Sequence, residues 1–144
     1  MKVLFVCYAN VGRSPMAKAF YERLTGDVAG AAGTFVDYPG QRLGARTAAS
    51  GAMASMHEIG IDMGDQVRTQ VTEEMLEDYD KVIVMSEPER TPPWLVVNSK
   101  VETWSVEDPR AKTPKEVRVI RDEIATRVEK LAKQLGTKKL RQKS

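Results

Sequence analysis

The amino-acid sequence predicts an α/β fold in which helices cover both faces of a doubly wound parallel sheet. Two short runs rich in branched apolar residues, 2–6 and 81–85, have the length and composition of strands that are buried on both faces. Segments with helical periodicity separate these runs from weaker strand candidates. Strands that alternate with helices along a chain favour a parallel sheet over an antiparallel one.

The strand at 2–6 leads through a short loop into the first predicted helix. Ser14 can serve as the N-cap of this helix, and Pro15 has the fixed φ angle of a first helical position. Apolar residues then recur at helical spacing up to Gly26. The loop therefore joins the carboxyl end of a strand to the N-terminus of a helix.

The next part of the chain carries weaker signals. Small residues at 27–32 can form a second strand, and the stretch 34–46, which contains proline and glycine, is typical of an irregular loop. A helix is predicted over 47–59, with an inner apolar stripe that runs from Ala48 to Ile59.

The C-terminal half is patterned more strongly. A short acidic helix is predicted over 72–79, a distorted helical turn around Trp94, and a last strand over 101–106. The final helix is the best specified element, because Thr113 begins a capping box and one face stays apolar until Gly136.

Length and composition exclude several classes of protein. We place one domain at 1–136 and a basic tail at 137–144, interpreted as a solvated end, with weak attraction to nucleic acid as the alternative. No specific nucleic-acid partner is expected, since no repeat or aromatic platform supports one. The composition is that of a globular protein, and no apolar run is long enough to span a bilayer.

The single cysteine, Cys7, excludes a disulfide within the chain. A reducing compartment is the natural home of such a chain, so a cytoplasmic location without membrane attachment is expected. The sequence shows no metal or cofactor site, and we expect a monomer or a weak dimer.

The strongest functional signal lies in the loop after the first strand. Five residues separate Cys7 from Arg13, and Ser14 follows immediately. Successive backbone N–H groups between a strand and a helix N-terminus form a nest for tetrahedral oxyanions. The predicted phosphate-binding residues are Tyr8, Ala9, Asn10, Val11, Gly12 and Arg13.

Side chains in this loop suit phosphoryl transfer. The nest and Arg13 favour the thiolate form of Cys7, which is a nucleophile positioned for in-line attack on phosphorus. The planar fork of Arg13 can hold two equatorial oxygens of the transition state at once, which lysine cannot do. Ser14 can donate a hydrogen bond to the sulfur and ease its departure, and Asn10 is a residue type that tolerates a positive φ angle.

The sequence resembles the low-molecular-weight protein tyrosine phosphatase family, which also includes thioredoxin-coupled arsenate reductases and protein arginine phosphatases. The resemblance covers most of the chain and implies a four-stranded parallel sheet flanked by helices. It also implies that Asp108 is the general acid, which protonates the leaving group and then acts as base toward water. The motifs that carry it are Val6-Cys7-x-x-Asn10-x-x-Arg13-Ser14-Pro15-Met16-Ala17, Ala32-Gly33-Thr34, Gly60-Ile61-Asp62, Gln70-Val71-Thr72, Val82-Ile83-Val84-Met85 and Asp108-Pro109.

The chain departs from the family pattern inside and beside the loop. Gly12 stands where many members carry a second cysteine that captures an oxidised nucleophile, and it is also expected to loosen the loop. Ala9 replaces a frequent glycine and would be strained if that position needed a positive φ angle. Gln66 and Thr69 stand where members commonly carry His and Arg, and Gln66 is a candidate hydrogen-bond partner of Asn10.

The residues expected to line the substrate cleft after Asp108-Pro109 also depart from the family pattern. Residues 110–112 are Arg, Ala and Lys, where many tyrosine-specific members place aromatic residues. Tyr8 or Tyr38 could supply an aromatic wall, although packing against the surface is the more frequent role for such a residue. The basic rim could instead favour acidic substrates.

The resemblance and the loop together predict hydrolysis of phosphomonoesters through a phosphocysteine, with protein phosphotyrosine or similar aryl phosphates as the first choice. Val11 fits that choice, because arginine phosphatases of the family typically carry Thr there. Specificity for phosphoarginine stays an alternative, whereas arsenate reduction in this family needs further cysteines. The competing class is a non-catalytic phosphate- or phosphopeptide-binding relative, which would have no use for Asp108 or for the Cys7 thiolate.

Overall fold

The computed structural model describes residues 1–136, and the predicted basic tail at 137–144 lies outside the described residues. The sheet has four strands, all paired in parallel, in the order β2-β1-β3-β4. The strands are β1 (Val3–Cys7), β2 (Gly30–Gly33), β3 (Lys81–Val84) and β4 (Val101–Thr103). The predicted four-stranded parallel sheet is thus confirmed.

The order of the strands determines where a ligand can bind. β1 lies inside the sheet, with β2 on one side of it and β3 on the other. In a doubly wound sheet, ligands bind outside the carboxyl ends of the strands, where the winding reverses. That point lies between the ends of β1 and β3, close to the pair Val6 and Val84. The loop that follows Cys7 therefore begins at the switch point.

Helices cover both faces of the sheet, as predicted. The α-helices within residues 1–136 are α1 (Arg13–Thr25), α2 (Ser50–His57), α3 (Pro93–Val96) and α4 (Pro114–Gln134). On one face, α4 packs against α1 and α2, and Phe5, Met16 and Ile124 are fully buried there. Shorter elements pack on the other face. A 3₁₀ turn contributes Leu76 and α3 contributes Leu95 to the apolar cluster there.

Helix α4 follows its sequence prediction closely. Thr113 Oγ1 accepts a hydrogen bond from the Glu116 N–H group at 3.2 Å, and the Glu116 carboxylate accepts one from the Thr113 N–H group at 3.0 Å. This is the predicted capping box, and the apolar residues Val117 to Leu131 of the stripe are buried. Within residues 1–136, no helix combines the length and the apolar character needed to cross a bilayer.

The start of α1 differs from the prediction. The helix begins at Arg13, and Gly12 precedes it without any side-chain cap. Ser14 is therefore not the N-cap. Its hydroxyl lies 3.0 Å from the Cys7 sulfur and accepts a hydrogen bond from Asn10, so it is engaged by the loop and not by the helix end.

The predicted helix over 47–59 is divided in two. Thr47–Ala49 form a 3₁₀ turn before α2, so Ala48 does not share the buried face of α2 and is exposed. Ile59 lies beyond the end of α2 and is also exposed. Ala52 and Met56, the middle of the predicted stripe, are buried.

Two later elements are also shorter than predicted. The acidic segment 72–79 forms a 3₁₀ turn over Glu74–Asp78 instead of an α-helix. β4 ends at Thr103 and does not extend to Val106, because the carbonyl group of Val106 accepts a hydrogen bond from Arg13 instead of from a neighbouring strand. This early end lets the chain turn toward the loop after β1.

Candidate active site

The loop between β1 and α1, residues 8–12, is anchored by the segment that follows β2. The carbonyl oxygens of Cys7 and Tyr8 accept hydrogen bonds from the N–H groups of Thr34 and Phe35, both at 2.9 Å. The N–H groups of residues 8–12 donate no hydrogen bond to any residue within 1–136. They precede the N-terminus of α1, whose partial positive charge attracts anions. The loop thus has the free donors that a phosphate nest requires.

Asn10 fixes the shape of the loop. Its φ angle is +57°, as expected for a residue type that tolerates the left-handed region, and its side chain is buried. The side-chain amide accepts from the Thr69 N–H group at 2.9 Å and donates to Ser14 Oγ at 2.7 Å. The hydrogen bond considered between Gln66 and Asn10 does not form. The Gln66 side-chain amide donates instead to the Pro15 carbonyl oxygen at 3.0 Å.

Cys7 and Ser14 form the reactive pair of the loop. Cys7 is 2% exposed, and its sulfur lies 3.0 Å from Ser14 Oγ. Because Asn10 donates to Ser14 Oγ, the single hydroxyl proton is free to point at the sulfur or at the Ala32 carbonyl oxygen, 3.2 Å away. A hydroxyl in this position can stabilise a thiolate.

Arg13 connects the loop to the ends of β3 and β4. Its Nη1 donates to the carbonyl oxygens of Met85 at 2.7 Å and Val106 at 3.1 Å. The Glu87 carboxylate accepts from Nη1 at 3.0 Å and from Nη2 at 3.4 Å. Nη2 also lies 3.8 Å from Asp108 Oδ2. Nη2 carries two protons, of which the Glu87 contact uses one, and Nε donates no hydrogen bond to any residue within 1–136, so the Nε–Nη2 edge remains able to make a bidentate contact with an oxyanion.

Glu87 is a site residue that the sequence analysis did not identify. It follows the end of β3, so the adjacency of β1 and β3 was the signal that could have placed it beside the loop. Burial raises the pKa of Glu87, but the hydrogen bond from Arg13, a backbone hydrogen bond and the positive charges of Arg13 and Arg90 together outweigh burial and hold the pKa below its usual value. Burial lowers the pKa of Arg13, and the negative charges of Cys7, Glu87 and Asp108 raise it above its usual value. Arg13 is therefore a fixed cation.

Asp108 lies at the mouth of the loop, as the Asp-Pro motif implies. Its side chain is 34% exposed. Oδ1 accepts a hydrogen bond from the Arg110 N–H group at 3.0 Å, which orients the carboxylate, and Oδ2 faces Arg13. One carboxylate oxygen is thus held by the backbone and the other is directed at the site.

Arg68, also missed by the sequence analysis, supports the loop from behind. It is 1% exposed and donates to the Ala9 carbonyl oxygen at 2.9 Å, to Asp37 Oδ1 at 2.8 Å and to Gln41 Oε1 at 2.9 Å. Hydrogen bonds from Arg68 and Arg46 lower the pKa of Asp37. Ala9 is not among the described residues with a positive φ angle, so the strain considered for it does not arise.

Gly12 is packed closely instead of loosening the loop. It is buried, and a Cβ atom at this position would lie 2.9 Å from Cγ of Pro109. Such a contact is closer than real Cβ atoms make, so one of the two segments would have to move. The absence of a side chain at Gly12 is what lets the Asp-Pro corner rest against the loop.

Replacing Gly12 with alanine is expected to lower the free energy of unfolding by about 1–3 kcal/mol, because the added methyl group overpacks this contact. Urea unfolding measures the change. The control is Gly51→Ala in α2 beside the same cleft, where a Cβ atom meets nothing within 4 Å. That variant is expected to gain up to about 1 kcal/mol from helix propensity. Equal effects of the two substitutions would contradict the packing argument.

A cleft of about 370 Å³ opens beside the loop. Val11 and Gly12 line it from the loop, Gly51 from α2, and Asp108 from the opposite wall. None of its lining side chains is aromatic, and Arg110 and Lys112 lie at its basic edge.

The two tyrosines considered as an aromatic wall differ in position. Tyr38 is 73% exposed. Tyr8 stacks on Phe35 with ring centroids 6.0 Å apart, and the Arg90 guanidinium lies 4.4 Å from the centre of the Tyr8 ring. Tyr8 is absent from the lining of the cleft beside Asp108.

The site is defined by a thiol at the carboxyl end of β1, a loop of free N–H donors, a fixed arginine and a carboxylate at the mouth. This arrangement belongs to a class of proteins that bind an oxyanion next to a nucleophilic sulfur. Within residues 1–136, no group of three or more His, Cys, Asp or Glu side chains is placed to hold a metal ion.

Comparison with known proteins identifies the family. The model of the family described as "Low molecular weight phosphotyrosine protein phosphatase" matches residues 2–142. The chain therefore belongs to this family, whose members include cysteine-dependent phosphatases and related enzymes.

The relatives differ from one another in the activity that their names give. The chain is 34% identical over 131 residues to a "Glutaredoxin arsenate reductase" from Synechocystis sp., covering 90% of this chain and 95% of the relative. It resembles a low molecular weight protein tyrosine phosphatase from T. tengcongensis, with 27% identity, a TM-score of 0.78 and coverage of 93% and 99%. It also resembles a cysteine-to-serine mutant of the YwlE arginine phosphatase with a phosphorylated active-site serine, with 26% identity, a TM-score of 0.78 and coverage of 96% and 98%.

Proposed function

We propose that the protein hydrolyses phosphomonoesters through a phosphocysteine at Cys7, with protein phosphotyrosine or a similar aryl phosphate as substrate. The observation that carries the proposal is the Nε–Nη2 edge of Arg13, because the Glu87 contact uses only one of the two Nη2 protons and no residue within 1–136 accepts a hydrogen bond from Nε. A bidentate clamp next to a loop of free N–H donors suits the three equatorial oxygens of a phosphoryl group in transfer.

In the first step the Cys7 sulfur attacks phosphorus, so that an S–P bond forms while the bond to the leaving oxygen breaks. Asp108 gives its proton to that oxygen, which leaves as an alcohol or phenol. In the second step water attacks phosphorus and Asp108 takes its proton, while the S–P bond breaks and restores the thiolate. The hydroxyl of Ser14, 3.0 Å from the sulfur, stabilises the departing thiolate.

Two features support this chemistry over a non-catalytic binding role. A binding module needs the loop and Arg13, but it needs neither the sulfur nor a carboxylate directed at the mouth. The phosphorylated active-site serine of the YwlE mutant supports transfer of a phosphoryl group to the residue at this position.

The cleft beside Asp108 supports an aryl substrate. The cleft has a volume of about 370 Å³, and Val11 and small residues such as Gly51 and Ala52 line part of it, which leaves room for a flat ring. Phosphoarginine is the second candidate, because the chain resembles an arginine phosphatase over 96% of its length. The single cysteine offers no second thiol for a disulfide within the chain, which argues against arsenate reduction by an internal relay.

A panel of substrates tests the proposal directly. The wild-type protein is expected to turn over p-nitrophenyl phosphate and a phosphotyrosine peptide with a higher kcat/KM than a matched phosphoarginine peptide, and to reduce no arsenate with thioredoxin as reductant. No turnover of p-nitrophenyl phosphate between about pH 5 and 7 would contradict the enzymatic proposal. A preference for phosphoarginine would replace the first candidate with the second.

Replacing Asp108 with alanine is expected to cost about a hundredfold in kcat/KM for an alkyl phosphate, which needs a protonated leaving group, and far less for p-nitrophenyl phosphate. The ratio between the two substrates is the readout. A general structural defect would lower both rates alike, and equal losses would exclude Asp108 as the acid.

A further inference from the structure

Arg90 is held against the ring of Tyr8, the residue that directly follows the nucleophile. The guanidinium carbon lies 4.4 Å from the ring centre, which is cation–π distance. The same ring stacks on Phe35 at an interplanar angle of 12°. Phe35 is 65% exposed and Arg90 is also exposed, so this stack forms one wall of the surface around the loop.

The backbone that carries Arg90 is well ordered by local bonds. Arg90 ends the 3₁₀ turn Pro88–Arg90, and its N–H group donates to the Glu87 carbonyl oxygen at 2.9 Å. Thr91 Oγ1 donates to the same carbonyl oxygen at 2.8 Å and lies 2.6 Å from Ser86 Oγ. These bonds order the backbone at Arg90, and the contact with the Tyr8 ring restricts its side chain, which lowers the conformational entropy lost when a ligand binds.

The charge of Arg90 is not neutralised by a hydrogen-bonded carboxylate within residues 1–136. Glu87 attracts Arg90 electrostatically, but its carboxylate oxygens are hydrogen-bonded to two nitrogens of Arg13 at 3.0 and 3.4 Å. Lys112, on the opposite side of the mouth, is paired with Glu107. Within residues 1–136, Arg90 is therefore an exposed cation beside the loop without a carboxylate in direct ion-pair contact, and the Tyr8 ring covers one face of its guanidinium and leaves the N–H edges for a ligand.

We propose that Arg90 binds an acidic side chain adjacent to the phosphorylated residue of a protein substrate. The proposal rests on the proposed phosphatase function and deepens it. A planar guanidinium pairs bidentately with a carboxylate, and the nest and Arg13 already take the phosphoryl group, so Arg90 is left for a second negative group. The Tyr8 ring, which belongs to the loop, holds Arg90 beside it.

Matched phosphotyrosine peptides test this inference. Each peptide carries Glu, Gln or Lys next to the phosphotyrosine, on either side in turn. The readout is the ratio of kcat/KM between the Glu and Gln peptides, measured within each protein variant. For wild type the ratio is expected to be about fivefold on one side, with the Lys peptide poorer than the Gln peptide. Arg90→Gln is expected to bring the ratio close to one.

Arg110→Gln is the matched control, since it removes the same charge from the other side of the mouth, where no described contact holds the side chain. It is expected to keep most of the preference. A wild-type ratio of one, an unchanged ratio in Arg90→Gln, or an equal loss in Arg110→Gln would overturn the proposal.

Binding separates this inference from the activity itself. If wild type turned over neither the peptides nor p-nitrophenyl phosphate, the proposed function would fail. The role of Arg90 is then decided by binding. Fluorescence anisotropy gives the Kd values of the Glu and Gln peptides for Cys7→Ala, with and without Arg90→Gln, and the Glu-to-Gln ratio is compared between the two proteins. A ratio that depends on Arg90 supports recognition of an acidic neighbour, and one that does not depend on it refutes this.

Discussion

Replacing Cys7 with serine is expected to abolish turnover of p-nitrophenyl phosphate, with a loss of at least about 10⁴-fold in kcat. A serine hydroxyl at neutral pH is protonated and is a far weaker nucleophile than a thiolate. If the serine did become phosphorylated, its alkoxide would be a poor leaving group in the second step. Both steps of the cycle therefore depend on sulfur.

The exchange of Cys7 for serine is expected to leave the packing of the fold almost unchanged. Cys7 is 2% exposed at the end of a central strand, and exchange of sulfur for oxygen adds no atom to the packing. The thermal unfolding midpoint is expected to change little, which distinguishes loss of chemistry from loss of fold. Ser14→Ala is the companion variant, and its expected loss is much smaller, about tenfold to a hundredfold, because it removes one hydrogen bond to the sulfur. Turnover that survived in Cys7→Ser would refute the proposed mechanism.

Replacing Arg13 with lysine is expected to lower kcat/KM for p-nitrophenyl phosphate by about a thousandfold, although the charge is conserved. The guanidinium serves two partners at once. Its Nη groups bind Met85, Val106 and Glu87, and Nε with the second Nη2 proton is left for the phosphoryl oxygens. A single ammonium group cannot satisfy these acceptors and also provide a planar pair of donors.

Arg110→Lys is the matched control for this prediction. Arg110 is exposed at the rim, and its backbone N–H group, not its side chain, bonds Asp108. The exchange there is expected to change kcat/KM by less than about threefold, within the range for an exposed charge. If Arg13→Lys retained activity within tenfold of wild type, the bidentate clamp would be excluded.

The sequence predicted the sheet and the loop because both depend on local patterns. The branched apolar runs at 2–6 and 81–85 and the capping box at Thr113 are short-range signals, and all three occur in the structure. The placement of Asp108 near Arg13 came from a motif of the family and agrees with the 3.8 Å separation.

The residues that the sequence analysis missed act over long range. Glu87 reaches Arg13 across 74 positions, and Arg68 reaches Ala9 across 59, so neither appears in the spacing around Cys7. Arg68 is difficult to identify from the sequence for a second reason. A charged residue is normally assigned to the surface and not to a fully buried position. The close packing of Gly12 likewise depends on Pro109, which is distant in the chain.

The central claim is that the phosphoryl group passes through Cys7, and trapping that intermediate tests it most directly. Asp108→Ala should slow the second step, since no base remains to activate water, while p-nitrophenolate can still leave in the first step. Acid quenching of this variant during turnover, followed by mass spectrometry of its peptides, is expected to place a phosphoryl group on Cys7. Turnover of p-nitrophenyl phosphate with no phosphoryl group on Cys7, or with one on another residue, would contradict the mechanism.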